Sequence, residues 1–197
     1  MAISAEQIKE LREKSGAGVM ECRNALIKFE GDMEKAMDLL RQKGREIAEK
    51  KKDRTTNEGR IESYIHTGGK VGVLIEVNCE TDFCAKSEDF IALVKELALQ
   101  IAAQNPQYVS IETVPEEVVK EQKELFQRMA EEEKKPANVA EKVVAGRMQK
   151  FYDEHCLLEQ LYIRDDSKKV KDMLAETVGK IRENITIRRF VRYSLQD

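Results

Sequence analysis

VGVLIEVNCETDFCAKSEDF, residues 71–90, changes its periodicity halfway along. Val71, Val73, Ile75, Val77 and Cys79 alternate with Gly72, Leu74, Glu76 and Asn78, the period-two pattern of a strand that buries one face. The alternation then stops. Glu80, Thr81, Asp82 and Phe83 intervene before Ser87, which can cap the amphipathic helix that follows. A carboxylate and an aromatic ring therefore sit on a short strand-to-helix connector, the kind of segment that carries function. The ring either folds back on the core or is presented to a partner, and the general preference of Phe for the interior favours the core.

On either side of this stretch the pattern extends to a small sheet. Ile61, Ser63 and Ile65 alternate with Arg60, Glu62, Tyr64 and His66, and Thr67-Gly68-Gly69-Lys70 supplies a turn, which predicts a hairpin. The helix after the connector carries Phe90, Leu93, Val94, Leu97 and Ile101 on one side and ends at Asn105-Pro106. Near the end of the chain, Ile185, Ile187, Val191, Tyr193 and Leu195 fall on one parity of a last strand, with Arg189 the odd member and Phe190 opposite. A late strand returning to the hairpin makes a three-stranded antiparallel sheet covered by helices on one face, hence an α+β class.

Ahead of the hairpin the spacing predicts three short helices. Ser4 and Gln7 form a capping box, Ile8 and Leu11 give the first stripe, and Ser15-Gly16 ends it. In the second helix Val19, Cys22, Leu26 and Phe29 share a face, with Met20, Arg23 and Ile27 beside it; Gly31-Asp32 then opens a third helix that Gly44 should stop. Residues 1–45 thus read as a bundle, 46–58 as a charged linker and 59–197 as the core. Within the core, Pro115-Glu116-Glu117 starts a helix running to about Lys134, and Pro136-Ala137-Asn138 interrupts it. Val139–His155 continues with Val143, Val144, Met148 and Phe151 inward, as one member of an antiparallel helical pair. Cys156–Arg164 reads as extended, and Ser167 as the cap of a helix burying Val170, Met173, Leu174, Val178 and Ile181.

Composition narrows the function. In 197 residues, 34 Lys and Arg nearly balance 37 Asp and Glu, which argues against a dedicated nucleic-acid binder. No run approaches the length of a membrane helix, and the N-terminus lacks the character of a secretory or transit peptide, so a cytoplasmic protein beginning here is expected. Four irregularly spaced cysteines, with no CxxC pair, predict free, structural thiols. Gly16-Ala17-Gly18 lies between helices and reads as a turn, and neither a phosphate loop nor a GxSxG motif occurs, so no nucleotide binding and no cofactor is expected. His155-Cys156 has no second ligand pair at zinc spacing, and no metal is expected. The Lys50-Lys51-Lys52 cluster, among acidic neighbours, reads as a solvated surface.

Five runs carry a resemblance: VNCETDFCAK at 77–86, SGAGVMECRNAL at 15–26, GDMEKAMDLLRQKG at 31–44, GRMQKFYDEHCLLEQ at 146–160 and IRRFVRY at 187–193. Together they resemble bacterial translation elongation factor Ts across nearly the whole chain. The resemblance implies a guanine nucleotide exchange factor for elongation factor Tu, not an enzyme, with a ubiquitin-associated-like N-terminal bundle. It also implies that Asp82 and Phe83, with Thr81 and Cys84 beside them, act as a wedge that disturbs the magnesium and phosphate site of the partner. A second contact is implied through Arg12, Met20 and Val19. Relatives often show two methionines where this chain has Val19-Met20, and the helical stripe makes Val19 equally a core residue. Longer members carry a second half-core and a coiled-coil insertion; this chain is similar to the short form, which implies a homodimer binding two partner molecules. The alternative is a passive adaptor, which would bind its partner without changing how fast GDP leaves it.

Overall fold

The computed structural model describes residues 3–133 and 136–195. Its elements begin with α1 (Ala5–Ser15), α2 (Val19–Lys28), α3 (Met33–Lys51), β1 (Glu58–Ile65), β2 (Val71–Cys79), α4 (Asp82–Ala85) and α5 (Glu88–Gln104). They continue with α6 (Glu116–Glu132), α7 (Ala137–His155), β3 (Leu161–Tyr162), β4 (Asp165–Lys169), α8 (Val170–Ile181) and β5 (Ile185–Ser194). They fall into two compact units, Met1–Leu99 with Lys171–Asp197, and Gln100–Val170. Among the described residues, no helix is long and apolar enough to cross a membrane.

In the first unit, local chemistry sets the ends of the N-terminal helices as expected. Ser4 and Gln7 cap α1 reciprocally, Gly16 ends it in the left-handed conformation at φ 67°, and the Asp32 carboxylate accepts from Lys35 N–H at the start of α3. The three helices close on Leu11, Cys22, Ala25, Leu26, Ala36 and Leu40. Within these three helices the structure departs from the sequence reading at two points. Gly44 does not stop α3, which runs to Lys51; it is buried where α8 crosses. A Cβ on Gly44 would stand 3.3 Å from the Ala175 carbonyl oxygen, and one on Gly179 would stand 3.1 Å from Gly44 Cα, so both glycines permit a close helix crossing. Val19 is not core either. It occupies the first position of α2 and is 49% exposed, while Cys22, Ala25 and Leu26 one turn later fill the interior.

The sheet is antiparallel in the order β1-β2-β5. Gly68 and Gly69 take positive φ, 92° and 70°, in the hairpin turn. The single parity expected of the last strand is broken by a bulge: Ile187 pairs with Val77 but Arg189 with Glu76, so Arg188 is the extra residue. Parity flips there. Ile185, Ile187 and Phe190 share the inner face with Val73, Ile75, Val77 and Cys79, whereas Val191 and Tyr193 sit opposite Leu74 and Gly72 on the outer face, along with Ile61 and Ile65. Ser87 Oγ accepts from Phe90 N–H at 3.3 Å to start α5, and Phe90, Leu93, Val94, Leu97 and Ile101 are buried along it.

In the second unit, Ala130 of α6 and Val144, Met148 and Phe151 of α7 share a core with Val114 and Cys156. The expected end of α6 near Lys134 lies outside the described residues. Residues 156–164 are not uniformly extended, because Leu157–Glu159 form a 3-10 turn before β3. Ser167 does not cap a helix. It lies in β4, with its hydroxyl donating to Asp165 Oδ1 at 2.6 Å, because pairing with β3 recruits residues 165–169 and delays α8 to Val170. The buried Gln100 ties this hairpin together: its amide donates to Gln160 Oε1 and the Leu161 carbonyl and accepts from Ile163 N–H.

Candidate functional site

The connector after β2 is a single helical turn rather than an open loop. Thr81, extended at φ −129°, caps α4: its hydroxyl accepts from Cys84 N–H at 3.2 Å. One turn of helix has two sides. Cys84 and Ala85 point into the unit and are buried, while Asp82 and Phe83 point out. Phe83 is 85% exposed, the largest exposure of any large hydrophobic side chain among the described residues. The general preference of Phe for the interior therefore fails at this position. Asp82 pairs with Lys86 at 2.7 Å along the outside of the turn, an exposed i,i+4 pair of small energetic weight.

What holds the turn still comes from a distant part of the chain. Thr81 N–H donates to Glu183 Oε2 at 3.0 Å and Thr81 Oγ–H donates to Glu183 Oε1 at 2.7 Å, so one carboxylate grips both donors of the capping residue. Glu80, one residue earlier, accepts from Asn184 N–H at 2.6 Å and from Arg54 at 3.3 Å; the Asn184 amide N–H holds its carboxyl below the usual range. The Asn184 side chain is buried and donates to the Lys52 and Arg54 carbonyls. Glu183 and Asn184 thus brace the turn that carries Phe83 from the side of α8, and nothing in their spacing in the sequence signals it.

Arg12, Val19 and Met20 are also outward-facing. Arg12 lies in the last turn of α1, and Val19 and Met20 lie in the first turn of α2 across the Gly16–Gly18 turn, with Met20 61% exposed. The neighbouring Glu21 accepts from Gly18 N–H at 3.2 Å and from Arg182 Nη2 at 2.7 Å, and the Arg182 hydrogen bond holds its carboxyl below the usual range. Arg182 adopts a left-handed backbone at φ 65°, an uncommon conformation for a residue with a Cβ. Two consecutive residues, Arg182 and Glu183, therefore reach the two segments singled out from the sequence: one the start of α2, the other the cap of α4.

Cys84 is not at the surface with Phe83. Burial pushes its thiol well up, and the neighbouring Cys79 and Glu183 add to that; burial also raises Cys79, whose thiol donates to the Thr81 carbonyl at 3.3 Å. An exposed ring, a paired carboxylate and protonated thiols form a set suited to binding rather than to nucleophilic chemistry. His66 is exposed on the hairpin beside Tyr64, and His155 packs on Phe151.

A family model described as Elongation factor TS matches residues 4–197. Among curated relatives, an elongation factor Ts of Caldanaerobacter subterraneus subsp. tengcongensis is 58% identical over 191 residues, covering 97% of this chain and 96% of its own length. One of a Thermoanaerobacter species is 56% identical over 191 residues, covering 97% and 94%, and one of Coprothermobacter proteolyticus is 52% identical over 195 residues, covering 99% of each.

Proposed function

This chain belongs to the elongation factor Ts family, and on that premise we propose that it is a guanine nucleotide exchange factor that binds elongation factor Tu and promotes GDP release during translation elongation. The observation that carries this reading is the exposed, braced ring of Phe83. A large apolar side chain left in water on a capped and tethered turn has the ordering cost of its backbone met before any partner arrives, which favours a wedge. Asp82 and Phe83 enter the nucleotide domain of the partner and displace the supports of its magnesium and phosphates. Magnesium demands near-ideal octahedral geometry, so small displacements weaken GDP. By linkage, nucleotide weakens factor binding equally, which lets the client leave.

Arg12, Met20 and Val19 make the second contact, from the bundle of residues 1–45, while residues 59–197 carry the wedge. The factor binds no nucleotide or nucleic acid itself and performs no covalent step. The decisive experiment measures release of fluorescent GDP from elongation factor Tu with and without this protein. Acceleration at sub-stoichiometric concentrations supports exchange; binding with no change in the release rate refutes it and leaves the adaptor.

Self-association is part of the same proposal. Ile61, Ile65, Leu74, Val191 and Tyr193 make one continuous exposed apolar sheet face, flanked by the Glu76–Arg189 pair at 2.7 Å. Exposed apolar patches spread over three strands mark interaction sites. A face of this kind is self-complementary under a two-fold axis, so a second copy of this chain is its occupant, giving a homodimer that binds two partner molecules.

A further inference from the structure

Three side chains with metal-binding atoms converge behind the turn that carries Phe83. A sulfur from Cys79, a sulfur from Cys84 and a carboxylate oxygen from Glu183 all lie within 4.8 Å of one another. They come from the last residue of β2, the third residue of α4 and the turn after α8. Both cysteines are buried and free, and Glu183 is half-buried. We propose that Cys79, Cys84 and Glu183 bind one zinc ion, or another borderline-soft divalent cation, with water completing a tetrahedron.

The donor set is what such an ion selects: two sulfurs with one carboxylate suit zinc and disfavour magnesium and calcium, which take oxygen. In a tetrahedral zinc site with sulfur at about 2.3 Å and oxygen at about 2.0 Å, neighbouring ligand atoms stand roughly 3.5–3.8 Å apart. Side-chain movements of about 1 Å would close this group around an ion. The outer shell is already in place. Glu183 is oriented by Thr81 through Oγ–H at 2.7 Å and N–H at 3.0 Å, and each carboxylate oxygen keeps a lone pair for the ion. The charges also balance. The ion-free group carries one negative charge, on Glu183. A dication that displaces both thiol protons leaves two thiolates and a carboxylate around two positive charges, again one negative charge, with two protons released. Burial and the neighbouring carboxylate keep the thiols protonated without an ion, and a bound dication removes that penalty. The ion would join the ends of three elements around the connector. Metal affinity at these three side chains is independent of any exchange activity.

The experiment titrates the full chain with cobalt(II) under anaerobic conditions. The expected result is thiolate-to-cobalt charge-transfer absorption with tetrahedral visible bands, saturating at one equivalent and displaced by zinc. About two protons should be released per ion, with affinity rising with pH. Zinc should raise the melting temperature of the wild-type chain. Cys84→Val should abolish the charge-transfer bands and the zinc-dependent rise, and Cys156→Val should change neither. Glu183→Gln, which keeps an acceptor for Thr81, should weaken binding by roughly 10–100-fold. Absence of thiolate bands in the wild type, their persistence in Cys84→Val, or unaltered affinity in Glu183→Gln would each overturn the site.

Discussion

Replacing Phe83 with alanine should separate the stability of this protein from its action on a partner. A phenylalanine side chain has on the order of 200 Å² of accessible surface. With 85% of the residue exposed, only about 30 Å² is covered within the chain, which at about 25 cal/mol per Å² is roughly 0.7 kcal/mol of stability. A loss of that size lowers the melting temperature by about 1–3 °C, whereas emptying a core site would cost roughly 3–5 kcal/mol. Against elongation factor Tu the account reverses. The remaining area of about 170 Å² sets a ceiling near 4 kcal/mol, and aromatic anchors at interfaces lose about 2–4 kcal/mol on truncation. If that energy acts in the exchange transition state, stimulated GDP release slows by roughly 30- to 900-fold. The assay pairs a thermal melt with stopped-flow release of fluorescent GDP over a range of factor concentrations. Full stimulation by Phe83→Ala, or a loss of activity explained entirely by a large fall in melting temperature, would refute the wedge.

Thr81→Val removes the α4 cap and the hydroxyl's donation to Glu183 while keeping the backbone N–H bond, so it should cost about 1–2 kcal/mol of stability and slow exchange although the ring remains; unchanged exchange would mean that the brace is unnecessary. Gly44→Ala should destabilise by about 1–3 kcal/mol in denaturant melts despite the better helix propensity of alanine, because the new methyl would press on the Ala175 carbonyl at 3.3 Å; a rise in stability would show that the crossing relaxes. Leu74→Arg on the outer sheet face should convert a sedimenting dimer to monomer with little change in melting temperature, and a wild type that is monomeric at tens of micromolar would remove the dimer itself. Stability should also depend on pH at both ends. Glu21 and Glu80 have lowered folded values, so their contribution is present above about pH 4.5 and is lost as the pH falls through the folded values. Cys156 is raised to about 11, so its contribution is intact below about pH 9 and is lost as the pH rises toward 11. Melting temperatures across pH 3–11 check both, and Glu21→Gln should flatten the acid limb.

Much of this molecule was legible in the sequence because the relevant forces act over about four residues. The alternation in residues 71–79 is a strand because side chains alternate across a pleat. Ser4 with Gln7, Asp32 and Ser87 mark helix starts because a side-chain oxygen reaches the N–H groups two or three residues on. The same locality placed Thr81, Asp82 and Phe83 on a connector, and the family motifs marked them for a partner. Local patterns could not show whether Phe83 is covered. That depends on what packs against α4, and Glu183, 102 residues away, grips its cap. Distance along the chain also hid the convergence of Cys79, Cys84 and Glu183. Val19 has core spacing but sits in the overhanging first turn, and Gly44 has the composition of a stop but serves a helix crossing. The parity of β5 was read as continuous, and one bulged residue, Arg188, reversed it, turning Val191 and Tyr193 outward. Sequence by itself determined the family, the three strands of the main sheet and the N-terminal helix caps, because those depend on neighbours along the chain, whereas β3, β4 and the late start of α8 arise from pairing between residues 161–162 and 165–169. Tertiary structure alone decided exposure, register and convergence, because those depend on which distant residues come to share a surface.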